Sequence, residues 1–383
     1  MIESLISTNE NKNYYSHPSP PKISHNISFE ELINLWIEEE LKPGTLSNGT
    51  VMSYQGVMKK IKEHPIAKMQ LKDITPDILQ KYIDTLCKPQ GTQHSRLSTG
   101  YLNIYTAVLN NLFRFAVFPK KYITFNPMEY VRTHRRNTKP DIFSERTDIS
   151  GTVPVITHDQ YLEMINYLEK RKNPARLPFQ IAYYTGLRLG EVCGLIWQDI
   201  DLDKQYMTVR RSMRYNNIRH KVELGTTKRS KVRTVYFGDT LAEILKTEKF
   251  IQHEKYADYK NYYQIINENG REYYELKTLH REIDVPVDYT ELSLVCLRDD
   301  GRPESPDTIS IVCRSLRKRF KNLDGFHFHT LRHTYTSNLI SAGASPKDVQ
   351  ELLGHSDINV TMNIYAHSDR EKKQYSARLL DNM

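Results

Sequence analysis

The sequence predicts a mainly α-helical protein with a small antiparallel β-sheet, arranged as a helical bundle followed by a larger mixed domain. Three observations lead there. Apolar residues recur at helical spacing behind capping residues through most of 28–118 and again from 157 onward. Alternation of apolar and polar residues is confined to short runs within 206–237. Between the two regions lies RTHRRNTKPDIFSERTDISGT (132–152), which is basic, polar and aperiodic and reads as a linker.

The elements follow in order. Residues 1–26, rich in Asn, Ser and Pro, read as a flexible arm. The bundle occupies 27–131. Ser28 and Glu31 have capping-box spacing ahead of the stripe Phe29, Leu32, Ile33 and Trp36. A second helix spans Val51 to Lys62. Thr75-Pro76, an N-cap followed by proline at the first helical position, opens a third with Ile78, Leu79, Tyr82, Ile83 and Leu86. Ser98 opens a fourth, which Pro119 stops. The mixed domain covers 153–383, with helices over 157–171 and 174–184 and another from the Gly186 region through Leu195. Strands are expected at 206–213, 220–224 and 232–237, the last two joined by GTTKRSK (225–231) as a hairpin turn. The tyrosine-rich, highly charged stretch 251–292 has weak periodicity and reads as an insertion, after which helices return through residue 380.

Composition narrows the function classes. The 383 residues include 54 Lys and Arg against 46 Asp and Glu, a net charge of +8, with 39% hydrophobic and 26% charged residues. That is the balance of soluble globular domains, and no run reaches the roughly 18 apolar residues of a membrane span. The opening MIESLISTNENKNYYSH lacks the basic region and apolar stretch of a signal peptide. Cys87, Cys193, Cys296 and Cys313 form no CxxC pair, which speaks for a reduced cytosolic protein without a zinc site or disulfide framework. The basic excess favours an anionic partner, nucleic acid first.

Four local signals carry chemistry. In TGLRLGE (185–191), Gly186 breaks one helix and Arg188 stands near the start of the next, with Glu191 one turn on to orient it. Lys228 lies in the predicted turn with Arg229, Lys231 and Arg233 nearby. In HTLRH (329–333), His329 and Arg332 share a helical face while Leu331, Tyr335 and Leu339 pack inward from another. In LLGH (352–355), Gly354 ends a helix begun at Ser345-Pro346 and places His355 at its C-terminus, with Tyr365 ten residues later. Singly, each has a plainer reading: a surface ion pair, a solvated turn, a polar helix face, a buried tyrosine hydroxyl. Together they form an inventory for phosphoryl transfer without a metal or other cofactor. Arginines clamp the non-bridging oxygens of an attacked phosphodiester. A tyrosine serves as nucleophile once it loses its proton, a histidine takes that proton, and a lysine protonates the leaving oxygen.

The order TGLRLGE, basic-turn lysine, HTLRH, LLGH and tyrosine closely resembles the tyrosine recombinase family of phage and mobile-element integrases. The resemblance covers 153–383 as catalytic domain. From Ser28 to about Tyr130 the chain resembles the family's helical core DNA-binding domain, including Ile74-Thr75-Pro76 and Asn126-Pro127. It implies that Arg188, His329, Arg332, His355 and Tyr365 are catalytic, Tyr365 as nucleophile, with Glu191 in support and no metal. Lys228 matches the catalytic lysine, and Lys231 is the alternative. Lys59, Lys60, Lys62, Arg135, Arg136, Arg229 and Lys231 are expected to contact the DNA backbone.

The activity implied is site-specific DNA strand exchange through a 3′-phosphotyrosyl bond, integrating or excising a mobile element or prophage in the bacterial cytoplasm. The expected partners are double-stranded DNA, three further copies in a synaptic homotetramer, and accessory DNA-bending or directionality factors, with no membrane. The two domains are expected to clamp one duplex. The tail from His367 to Met383, with Tyr375, Ala377, Leu379 and Leu380, suits a short helix that docks on a neighbour. Only 26 residues precede the bundle, so the resemblance does not extend to a separate arm-binding domain. A chromosome- or plasmid-dimer resolvase and a type IB topoisomerase-like enzyme share this chemistry. A non-catalytic DNA-binding regulator has no use for the tyrosine, and a metallohydrolase has only the 14 histidines in its favour.

Overall fold

The computed structural model describes residues 26–42, 46–87, 97–132, 154–216, 219–227, 231–254, 258–268 and 270–354. The arm before Asn26, most of 132–152, and everything after Gly354, including His355, Tyr365 and the tail, lie outside the described residues. The chain divides into two compact units, Met1–Lys139 and Pro140–Met383.

Among the described residues, the first unit is built on four α-helices, α1 (Phe29–Trp36), α2 (Asn48–Glu63), α3 (Pro76–Cys87) and α4 (Thr99–Val117). Each start has a local cause. Ser28 Oγ accepts from the Glu31 amide at 3.2 Å while the Glu31 carboxylate accepts from the Ser28 amide at 2.8 Å. Ser47 caps α2 and Ser98 caps α4 with the hydroxyl alone, accepting from the Thr50 and Tyr101 amides. The apolar stripes meet in one core, where Phe29, Ile33, Val57, Ile61, Leu79, Ile83, Leu109 and Phe113 are fully buried. The Phe29 and Phe113 rings stack at 5.2 Å between centroids. Burial on this scale contributes roughly 1.5–3 kcal/mol per large side chain.

Among the described residues, the second unit is helical with two antiparallel sheets. Helices α5 (His158–Lys170), α6 (Arg176–Thr185) and α7 (Leu189–Cys193) lead into β1 (Ile200–Asp201), β2 (Tyr206–Val209), β3 (Arg211–Asn216), β4 (Lys221–Thr226) and β5 (Arg233–Tyr236). Then come α8 (Asp239–Glu254), β6 (Tyr259–Glu268), β7 (Arg271–His280), β8 (Thr290–Leu292), α9 (Pro306–Arg319), α10 (Phe328–Ser341) and α11 (Pro346–Leu353). α6 and α10 pack against one another at the centre. Both are buried nearly all round, and Phe179 of α6 meets Phe328 of α10 edge-on at 5.4 Å. The Ile156 amide donates to Thr334 Oγ1 at 3.0 Å, fastening the approach to α5 onto α10. The four cysteines are free thiols, three of them buried.

Three expectations need correction. The run 206–213 is two strands, broken at Arg210, because Arg210 and Arg211 both turn to Asp199, at 3.0 and 2.6 Å. The two halves then enter different sheets, one ordered β1-β2-β5 and the other β3-β4-β7-β6-β8. Consequently β4 and β5 do not form a hairpin about 225–231: β4 pairs with β3 and β7, and β5 pairs with β2 in the other sheet. Alternation marks a strand but does not choose its partner. Finally, the stretch 251–292 is more regular than its weak periodicity suggests. Its β6 and β7 form a hairpin paired over ten residues each, from Tyr259↔His280 to Glu268↔Arg271, and extend the larger sheet. The period is obscured because β7 buries a charged group: Glu275 is buried and receives the Arg219 guanidinium at 3.1 Å, which also meets the buried Glu223 of neighbouring β4 at 2.9 Å.

Candidate active site

The candidate groups are assembled where α6 ends, α7 begins, α10 passes and α11 stops. Gly186 terminates α6 in the left-handed region, with φ of 65°. A Cβ there would stand 2.5 Å from Tyr335 Cδ1 and 2.6 Å from Leu353 Cδ2, so the turn requires glycine for both conformation and space. The reversal brings Arg188 to the N-cap of α7. Its backbone amide donates to Glu191 Oε2 at 3.0 Å, and its Nη1 donates to Oε1 at 2.8 Å. The predicted orientation of Arg188 by Glu191 is thus a two-point attachment, and the rest of the guanidinium is free to face outward, its side chain being 28% exposed.

Glu191 itself is 2% exposed. Burial alone would raise its carboxyl pKa, but hydrogen bonds and charge from Arg233, then Arg188, overcome it and hold the group down at about 2. Arg233 grips both carboxylate oxygens, at 3.1 and 2.7 Å, and donates through Nε to the Leu352 carbonyl at 3.2 Å. Sequence reasoning gave Arg233 no role in the site. A signal was there: on a strand, Arg233 shares a face with Val235, which is fully buried, and an arginine pointing inward needs an acid.

Arg332 departs further from expectation. It does not lie on a polar face of α10; it is 1% exposed, one of the largest fully buried side chains described. Its Nη1 donates to the Gly186 carbonyl and its Nη2 to the Leu353 carbonyl, each at 2.7 Å. These carbonyls are available because both belong to helix ends, where the last acceptors lack intrahelical donors. Burial, then repulsion from Arg188, lowers the Arg332 pKa to about 9, which still leaves it charged at neutral pH. Gly354, with φ of 64°, closes α11 directly after Leu353.

His329, one turn before Arg332, is exposed at its edge. Desolvation by its surroundings, then His333, Arg332, His327 and Arg188, push its pKa down to about 3. It is therefore neutral at physiological pH, the state that accepts a proton. Its ring meets His333 edge-on at 4.7 Å. The His333 Nδ1 is buried without a hydrogen-bond partner among the described residues.

Arg188, Glu191, His329 and Arg332 are thus brought together, and Arg233 joins them. Lys228 and Arg229 lie outside the described residues, as do His355, Tyr365, Arg135 and Arg136. Lys231 is exposed, at the foot of β5. In the first unit, Lys59 and Lys60 are exposed at the end of α2, with the Lys60 ammonium 4.9 Å from the Tyr101 ring centroid, and Lys62 donates to Asn34 Oδ1 at 2.6 Å.

The phage integrase family profile matches residues 154–372, more than half of the chain and most of the unit that carries this cluster. The protein belongs to the phage integrase family. The N-terminal SAM-like domain of phage integrases matches residues 28–87. Among curated integrase-family proteins, a tyrosine recombinase XerC-like protein of Caldanaerobacter subterraneus subsp. tengcongensis is 26% identical over 93% of this chain and 83% of its own length. The ICEBs1 integrase of Bacillus subtilis is 23% identical over 94% of this chain and 84% of its own. Of solved integrase structures, the Tn1549 transposon integrase in complex with a circular intermediate DNA superposes with a TM-score of 0.66 at 16% identity, covering 92% of this chain and 99% of that one. The lambda integrase tetramer bound to a Holliday junction superposes at 0.55 and 20% identity over 91% and 80%. At these identities the superpositions speak to the fold.

Proposed function

We propose that this integrase-family protein is a tyrosine site-specific recombinase that cuts and rejoins DNA for a mobile element or prophage, acting in the bacterial cytoplasm. The observation that carries the reading is the convergence of Arg188, Arg332 and His329 from two helices, with Arg332 held by two neutral carbonyls and Arg188 oriented by Glu191. A phosphodiester entering such a site meets fixed cations instead of reorienting water, which is where most catalytic stabilisation of a developing dianion arises.

The chemistry balances without metal or nucleotide. The Tyr365 oxygen attacks the scissile phosphorus as neutral His329 takes the phenolic proton. The P–O5′ bond breaks and the leaving oxygen gains a proton from Lys228, or from Lys231 in its place. The 3′-phosphotyrosyl bond conserves the phosphoester energy, and a 5′-hydroxyl of the partner duplex reverses the step. His355, directly after the Gly354 turn, contributes a further phosphate contact. Four copies on two duplexes carry out the exchange, with accessory DNA-bending proteins setting direction.

A nicked suicide substrate carrying the element's own end sequences tests this. Wild type accumulates a covalent protein–DNA adduct in EDTA, and Tyr365→Phe accumulates none. An adduct that persists in Tyr365→Phe assigns the nucleophile elsewhere.

A further inference from the structure

One buried cation of the site has no place in that chemistry. Arg233 stands at the start of β5, its side chain 11% exposed, and engages all three of its guanidinium nitrogens: Nη1 and Nη2 on the two oxygens of Glu191, Nε on the Leu352 carbonyl. It therefore has little left to offer a phosphate. What it joins is more telling than what it faces. Glu191 is the residue that orients Arg188 from α7, and Leu352 lies two residues before the Gly354 turn through which the chain leaves α11. A Cβ on Gly354 would stand 3.0 Å from Arg233 Cδ, so the guanidinium stem is seated directly under that turn.

We propose that Arg233 is a positioning residue for DNA cleavage: it neutralises Glu191, so that Arg188 keeps its charge for the phosphate, and it pins the end of α11 from which the chain continues to His355 and Tyr365. This rests on the recombinase reading above. Glu191 is faced by Arg188 on its own helix, by Arg233 from β5 and by Arg332 from α10. With Arg233 in place, the carboxylate's charge is spent on a bidentate pair, the strongest geometry available to it. Without Arg233, the same buried carboxylate turns to Arg188 for compensation. Arg188 would then enter the reaction already neutralised. The change is felt in the chemical step more than in binding, because phosphates along the duplex dominate affinity.

The test compares single-turnover adduct formation on the suicide substrate by wild type, Arg233→Ala, Arg233→Lys, Glu191→Gln and the double variant Glu191→Gln/Arg233→Ala, with affinity for an uncut site and urea midpoints measured alongside. Removing the support of a reactive group slows chemistry by about 10–100-fold, and that loss is expected for Arg233→Ala with affinity for the uncut site largely kept. Arg233→Lys restores the charge without the fork and recovers part of the rate; it also serves if Arg233→Ala fails to fold. The double variant, which removes the uncompensated carboxylate as well, cuts faster than Arg233→Ala. Arg233→Ala also gains rate as pH falls, because protonating Glu191 frees Arg188. A residue that mattered only for packing would move neither the double variant nor the pH profile in that direction. If Arg233→Ala and Arg233→Lys cut at the wild-type rate, or the double variant is slower than the Arg233 single variant, the positioning role is wrong while the recombinase reading stands. Wild type that forms no adduct overturns the recombinase reading and this role with it.

Discussion

Arg332 and Gly186 lie 146 residues apart in the chain and are joined by a 2.7 Å hydrogen bond from guanidinium to carbonyl. The bond turns a helix terminator into part of the candidate catalytic machinery. The opposite nitrogen of the same guanidinium does likewise to Leu353, so one side chain stitches the ends of α6 and α11 together.

A lysine has one nitrogen and cannot span both carbonyls. Arg332→Lys is expected to leave at least one of them buried and unpaired, at a cost of about 1–3 kcal/mol, and to slow cleavage by roughly 100–1,000-fold, as losing one fixed donor at a developing oxyanion does. Urea midpoints and suicide-substrate rates measure the two effects separately. Near wild-type cleavage by this variant would remove Arg332 from the chemistry.

Two glycines should respond to alanine with opposite signs. At Gly186 the left-handed backbone costs roughly 1–2 kcal/mol, and displacing Tyr335 and Leu353 costs about 1–3 kcal/mol more. Gly56 lies mid-helix in α2, and a Cβ there would meet nothing within 4 Å, so Gly56→Ala should stabilise by about 0.5–1 kcal/mol. Thermal or urea unfolding of both variants decides. A neutral Gly186→Ala would show that the turn can relax where its neighbours say it cannot.

Acid should destabilise the second unit in two stages. His327, His329 and His333 all have pKa values depressed below the usual 6.5. The unfolded chain therefore binds protons that the folded one refuses, and stability declines as pH falls below 6.5. Glu191 has a folded value of about 2 against the usual 4.5; its contribution is complete above 4.5 and disappears as pH drops toward 2. That contribution is on the order of 3 kcal/mol. Glu191→Gln should be less stable at pH 7 and show a flatter decline between pH 4.5 and 2. A parallel decline in wild type and variant would mean that another group controls the acid limb.

Lys59 and Lys60 are exposed and stand in no ion pair among the described residues, and the proposal that they meet the phosphate backbone can be tested directly. Converting both to alanine should reduce the slope of log affinity against log salt by about 0.9 for each phosphate they neutralise, with no change in the adduct rate at saturating protein. An unchanged slope would place these lysines away from the duplex.

What the sequence revealed and what it hid divide along chain separation. Ser28 with Glu31, Thr75-Pro76, the glycine stops and the Arg188–Glu191 pair were legible because each is settled within a few residues. The inward burial of Arg332 was not, since its acceptors arrive from helix ends 146 and 21 residues away. Arg233 was hidden for the same reason: its acid is 42 residues distant. The second partner of β4 is β7, from the hairpin of β6 and β7, whose own pattern was blurred by Tyr, Glu and Lys on half-covered faces.

The carbonyl of Leu353 has a consequence for synthesis. During translation Arg332 emerges well before the residue that completes its seat, and α10 cannot bury the guanidinium stably until α11 has followed it out of the ribosome. A truncated product ending short of Leu353 would leave that cation searching for an acceptor in an apolar interior, a situation that favours unfolding and proteolysis.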